Sequence, residues 1–229
     1  MGDVTEGCVR LLHDLLGSVG SRPITEPALW PSFIADDHTP VEFSLSFERG
    51  KPPTLRVLVE HLAPEATAGA NLRAARRLTD RLARRYRLPL DRFAAIADLF
   101  LPDEPEGIFS LWHSVVLRPD AQHEFKVYFN PAVRGASQAP ALVAQALERL
   151  GLHHAYATVV AQAFRPGWQA DRFVFLSLDL HPGPHSRVKV YVAHDGAAAG
   201  DLERAARPAR GTVPGAAGEF CSLVGGSPG

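Results

Sequence analysis

Two stretches of this chain combine cations and phenols in a way that suggests chemistry. Phe125-Lys126-Val127-Tyr128-Phe129-Asn130-Pro131 is echoed later by Arg187-Val188-Lys189-Val190-Tyr191-Val192. Alternation of β-branched or aromatic residues with polar ones predicts two strands. Strand side chains alternate faces, so Lys126 and Tyr128 share one face, and Arg187, Lys189 and Tyr191 share one. Lysine seldom enters a sheet interior without an anionic partner. The pair of strands therefore points to a site for an anion beside something cationic or aromatic. The plain alternative, two exposed faces of an ordinary antiparallel sheet, would suit either strand alone. The recurrence favours the site.

The elements that must hold these residues follow from periodicity and breakers. Residues 3–19 predict an amphipathic helix, followed by a loop broken by Pro23, Pro27 and Pro31. Residues 41–48 and 54–60 read as a strand pair around Gly50, Pro52 and Pro53. Residues 70–86 form an Arg-rich helix with Leu72, Ala75, Leu78 and Leu82 on its apolar face, and 91–100 form a second helix. The cycle then recurs. Strands 108–118 and 124–130 flank a turn at Pro119-Asp120, and helices 137–150 and 152–164 are divided by Gly151. Strands 172–180 and 187–192 are joined through His181-Pro182-Gly183-Pro184, and two short helical pieces are expected at 201–206 and 218–224. Strand, turn, strand, helix, helix thus repeats with a period of roughly 60–70 residues. The second strand of each pair carries cations: Arg56, then Lys126, then Arg187 with Lys189. Antiparallel pairs linked by helix pairs predict a curved sheet with helices outside and the cations on its concave face.

Composition narrows the function. The 229 residues are 46% hydrophobic and 21% charged, as expected for a globular chain, and they suffice for one large domain or two small ones. A formal net charge of -1 gives no general argument for nucleic acid or an anionic membrane surface. The Arg-rich helix reads as a solvated outer face. Cys8 and Cys221 fit no metal or redox spacing, which points to a reducing, cytoplasmic context without a disulfide. No membrane span or secretory signal is evident. The chain lacks a P-loop, a Gly-x-Ser-x-Gly elbow and a dinucleotide fingerprint. His153-His154 and the His181/His185 pair read as surface or structural, and Trp112 reads as packing.

The segments Asp36-Asp37-His38-Thr39-Pro40-Val41-Glu42-Phe43-Ser44, Leu55-Arg56-Val57, Phe125 to Pro131 and Arg187 to Tyr191 resemble aromatic prenyltransferases of the dimethylallyltryptophan synthase type. The resemblance is to the bacterial indole branch and spans essentially the whole chain. It implies an α+β fold: an antiparallel β-barrel of repeated α-α-β-β units with helices outside. It implies transfer of a dimethylallyl group from dimethylallyl diphosphate to an aromatic carbon of tryptophan or a related indole. By motif, Glu42 would accept the indole N–H, and Arg56, Lys126, Arg187 and Lys189 would hold the diphosphate. Tyr128 and Tyr191 would shield the allyl cation, and His113 would stand as a candidate base.

These residue types suit that chemistry. Breaking an allylic C–O bond leaves a diphosphate and a delocalised cation. Fixed Arg and Lys donors stabilise the first, while tyrosine faces attract the second and exclude water. Four protein cations can stand in for a metal. Asp36-Asp37 is the only adjacent Asp pair, so no metal cofactor, and in particular no Mg²⁺, is expected. The resembled family is longer, with a barrel of ten strands. Residues 1–229 are therefore expected to be one partial barrel domain of about three repeats, truncated at its C-terminus. Alone, it is expected to be inactive and aggregation-prone, or a homodimer through its open edges. The alternative is a non-catalytic module binding an anionic or aromatic ligand, or a partner.

Overall fold

The computed structural model describes residues 2–225 except 24, 48, 119–121, 168–170, 184–185 and 210. The expected turn at Pro119-Asp120, and Pro184 and His185 of the last hairpin, lie outside the described residues. Six strands, β1 (Val41–Ser46), β2 (Thr54–Glu60), β3 (Leu111–Leu117), β4 (Glu124–Phe129), β5 (Asp171–Asp179) and β6 (Val188–His194), form one antiparallel sheet in sequence order. Helix α1 (Gly2–Leu16) precedes the sheet. Helices α2 (Ala68–Tyr86) and α3 (Asp91–Phe100) link β2 to β3, and α4 (Ala139–Arg149) and α5 (His153–Gln162) link β4 to β5. Helices α6 (Ala199–Ala206) and α7 (Ala216–Gly225) follow β6. The three strand pairs are joined edge to edge by β2–β3 and β4–β5 pairing, across the helical connections.

Alternation sorts each strand into two faces. Val57 and Val59, Leu111 and Val115, Phe125, Val127 and Phe129, and Leu176 and Leu178 turn toward the helices and are buried with Leu72, Leu78 and Leu82 of α2 and Phe93, Ile96 and Phe100 of α3. The Phe129 ring lies 5.4 Å from Phe93 and 5.1 Å from Phe100, centroid to centroid. The helices start and stop where local chemistry allows. The Thr67 hydroxyl accepts the Ala70 N–H at the start of α2. Helix α1 ends short of the expected residue 19, passing into a 3-10 turn over Gly17–Ser21. Gly17 adopts φ +59°, and a Cβ there would sit 2.8 Å from the His61 ring, so that turn requires glycine.

The opposite face of the sheet is concave. Trp112 of β3 and Phe175 of β5 are two strands apart, yet their rings lie 5.3 Å from each other. Tyr128 of β4 and Tyr191 of β6 approach to 6.0 Å. Strands are spaced almost 5 Å apart, so side chains two strands apart meet this closely only where the sheet curls toward them. Strand β1 is less covered. On its helix-side face Phe43 and Leu45 are 52% and 58% exposed.

Truncating a ring shared by the sheet and α3 isolates that packing. Phe129→Ala is expected to lower unfolding free energy by about 3–5 kcal/mol, read as a drop in the urea midpoint at unchanged slope.

Candidate active site

Cross-strand register assembles the concave wall. One row runs Glu42, Leu58, Ser114, Lys126, Asp179 from β1 to β5. A second runs Glu60, Trp112, Tyr128, Ser177, Lys189 from β2 to β6. Arg56 aligns with Val116 and Glu124, and Phe175 with Tyr191. Phe175, Ser177 and Asp179 share this face by alternation, and a β-bulge between Phe173 and Phe175 turns Phe173 to the helix side. Glu42, Arg56, Lys126, Tyr128, Lys189 and Tyr191 therefore share one surface, and Arg187 joins them through its contact with Asp179.

His113 does not. It is paired with Val59 and Val127 on the helix side of β3, and its Nε2 lies 2.8 Å from the Thr79 hydroxyl of α2. Burial, with the nearby His61 and Arg81, holds its imidazole down at about 3. The expectation of a base at His113 is corrected here: strand alternation turns it away from the concave face, and burial keeps it neutral. The residue beside it, Ser114, occupies the wall next to Lys126.

The wall has two ends of different character. At one end, Arg56, Lys126 and Arg187 line an open cleft of about 670 Å³, together with Ser46 and Glu124. The Arg56 guanidinium donates to the Ser46 hydroxyl at 2.8 Å. Lys126, with its side chain 9% exposed, has its Nζ 3.6 Å from Asp179 Oδ1. Arg187 donates through Nε to Asp179 Oδ2 at 2.8 Å. Burial acts to raise the Asp179 carboxyl, but the Arg187 hydrogen bonds and the Lys126 charge outweigh it and hold the group below the usual carboxylate range. Burial lowers the Lys189 ammonium, and Arg187, Lys126 and Arg56 push it further down. At the other end, Phe109, Trp112, Phe175, Tyr128 and Tyr191 form a contiguous aromatic cluster. Burial, with Tyr191 alongside, pushes the Tyr128 phenol well above its ordinary value, so it stays neutral.

Two acids of the wall were missed by the sequence reading. Asp179 is the sole acid near the end of an apolar strand, and its alternation with Ser177 was the available signal. Glu60 ends β2 in the same way. Its side chain accepts from the Ser32 hydroxyl at 2.7 Å, and the residue is only 4% exposed. Burial pushes its carboxyl up to about 7, against the Ser32 hydroxyl and the indoles of Trp112 and Trp30. Both indole nitrogens approach without a hydrogen bond of good geometry.

Similarity to known proteins bears on this wall. A family model described as tryptophan dimethylallyltransferase matches residues 6–206. A 6-dimethylallyltryptophan synthase from Micromonospora olivasterospora, solved in complex with DMASPP and Trp, is 46% identical with a TM-score of 0.90. That match covers 95% of this chain and 62% of the synthase. A 5-dimethylallyltryptophan synthase from Streptomyces coelicolor, also with DMASPP and Trp, is 38% identical with a TM-score of 0.87, over 98% of this chain and 60% of its own. The prenyltransferase PriB, in a ternary complex with L-tryptophan and dimethylallyl thiolodiphosphate, is 36% identical with a TM-score of 0.88, over 100% of this chain and 62% of its own. The chain thus spans less than two thirds of the length of each of these relatives.

Glu60 makes the fold sensitive to pH. Its folded value, about 7, lies above its ordinary 4.5, so folding favours the protonated acid. That stability is complete below about pH 4.5 and is lost as pH rises through about 7. His61 and His113, both depressed by burial, act with the opposite sign below 6.5. In the difference between wild type and Glu60→Gln their contributions cancel. That difference should fall by about 3 kcal/mol across the window in urea unfolding series.

Proposed function

The chain belongs to the tryptophan dimethylallyltransferase family, and on that premise we propose that it forms the ionising wall of an enzyme that dimethylallylates an aromatic carbon of tryptophan or a related indole. The observation that carries this reading is the ordered wall itself, with a carboxylate at Glu42, cations at its floor and aromatic rings at one end. Arg56, Lys126, Arg187 and Lys189 bind the diphosphate of dimethylallyl diphosphate. As the allylic C–O bond breaks, the electron pair leaves on the diphosphate oxygen, and these donors meet charge that grows in the transition state. Tyr128 and Tyr191 offer their ring faces to the cation, and burial keeps the Tyr128 phenol neutral, so it attracts the cation without trapping it. Glu42 accepts the indole N–H, which holds the ring over the allylic carbon and enriches its electrons. The ring carbon then attacks the allylic carbon, forming the C–C bond, and the ring proton passes to an oxygen of the released diphosphate, which restores aromaticity.

No metal takes part in this proposal. Protein cations supply the charge that a metal would bring, and among the described residues no three His, Cys, Asp or Glu side chains converge. We further propose that the protein acts in the cytoplasm. No helix among the described residues is long and apolar enough to cross a membrane.

Water must be kept from the cation, and a sheet whose β1 and β6 do not pair with each other leaves the wall open. Residues 1–229 alone should therefore give no prenylated product. Adding a fragment that supplies the remaining strands of a relative should restore it, read by mass spectrometry of tryptophan incubated with dimethylallyl diphosphate. Diphosphate binding with no product from the completed barrel would favour the non-catalytic module instead. In the complemented system EDTA should leave turnover intact, and a strict Mg²⁺ requirement would overturn the metal-free reading. Glu42→Gln should reduce kcat/KM for tryptophan by about one to two decades, the worth of a charge-assisted hydrogen bond in the transition state. An unchanged kcat/KM would remove Glu42 from the site.

A further inference from the structure

The cations of the cleft surround an anion that takes no part in lining it. The Asp179 side chain is 1% exposed and is absent from the cleft surface to which Lys126 and Arg187 contribute. A carboxylate at the mouth of a diphosphate site would repel the ligand. Behind the cations it can do something else. Asp179 Oδ2 accepts both the backbone N–H of Arg187, at 3.2 Å, and its Nε–H, at 2.8 Å. A guanidinium gripped by its Nε edge is fixed in plane, and its terminal NH₂ groups can still serve a phosphate. Asp179 Oδ1 has no hydrogen bond, and Lys126 Nζ lies 3.6 Å from it. The ammonium is therefore held by charge without committing its donors.

The hairpin has further braces besides this carboxylate. The Asp179 N–H donates to the Arg187 carbonyl at 3.0 Å, and the Ser186 hydroxyl donates to the Asp179 carbonyl at 2.8 Å. Arg92 of α3 donates to the Ser186 carbonyl at 3.0 Å. These bonds brace the backbone alongside the one from the Arg187 N–H to Oδ2, and the carboxylate also meets Lys126 and the Arg187 guanidinium, with His181 Nε2 3.6 Å from Oδ2. Without that carboxylate, the counter-charge to Arg56, Lys126, Arg187 and Lys189 would fall to Glu124, which already pairs with Arg118. Lys189, already depressed by its neighbours, would lose the Asp179 charge that opposes them.

Resting on the diphosphate reading above, we propose that Asp179 is a positioning residue that aims Arg187 and Lys126 together at one diphosphate before it arrives. The test is a double-mutant cycle on the 229-residue chain, with inorganic diphosphate as the calorimetric probe. Asp179→Asn should weaken binding about ten-fold or more, although it removes a negative charge from the neighbourhood of an anion site. Arg187→Gln should cost about as much in the wild-type background, and less than about two-fold once Asp179 is already Asn. Equal or tighter binding by Asp179→Asn, or two effects that simply multiply, would overturn the proposal. Wild type that fails to bind diphosphate would overturn the diphosphate reading, and this inference with it. Should Asp179→Asn fail to fold, the wild-type chain still decides the matter by ¹⁵N NMR. A gripped Arg187 Nε–H should give a resolved, slowly exchanging resonance without ligand, assigned by its loss in Arg187→Gln. A signal averaged to the position of free arginine would overturn it.

Discussion

A lysine ammonium held inside a sheet must be answered by an anion, and here the answer is Asp179. At 3.6 Å the attraction of the pair is about 5 kcal/mol at an effective dielectric of 20. Removing each ion from water costs several kcal/mol, so the pair contributes little net stability. Its consequence is geometric. One acid at the end of β5 holds Lys126 of β4 on one side and Arg187, just before β6, on the other, and the rest of the wall is arranged around them.

Two-residue alternation keeps that wall separate from the core. Every inward position filled by a Val, Leu or Phe on the helix side forces its neighbours onto the concave side. There the sheet collects Lys126, Tyr128, Lys189 and Tyr191 away from α2 and α3, while on the helix side the polar His113 is met by the Thr79 hydroxyl. The curl of the sheet completes the division, bringing aromatic rings from β3, β4, β5 and β6 into contact at one end. Cations lie at the other end. A leaving diphosphate and an allyl cation need those two environments next to each other, and strand spacing supplies the separation.

Glu60 belongs to the same surface but obeys a different balance. Packed among Ser32, Trp30 and Trp112, it meets hydroxyl and indole groups and no cation, so burial wins and the acid tends to keep its proton. Asp179 is as buried as Glu60 but has Arg187 and Lys126 beside it, and it remains charged. Two acids on one face are thus set apart by their neighbours alone.

Local pattern alone determined much of this protein. The alternation in Phe125 to Asn130 and Arg187 to Val192, the helical spacing of Leu72, Ala75, Leu78 and Leu82, and the breakers between them made the strands, the helices and their recurrence legible. They also made legible which cations and phenols share a face, because that follows from period two within a strand. His113 shows the limit. Reading it as a base required knowing how β3 is registered against β4, and a shift of one residue exchanges the two faces. Pairing with Val127 and contact with Thr79 of α2, distant in sequence, decided that it is a core residue. Asp179 and Glu60 were beyond reach for a related reason. An acid at the end of an apolar strand looks solvent-exposed until the elements that cover it are known. For Glu60 those are the Trp30–Ser32 segment and Trp112; for Asp179, the β4 and β6 cations. Periodicity is carried by the chain itself, whereas register, bulge and burial arise only when separate segments pack together.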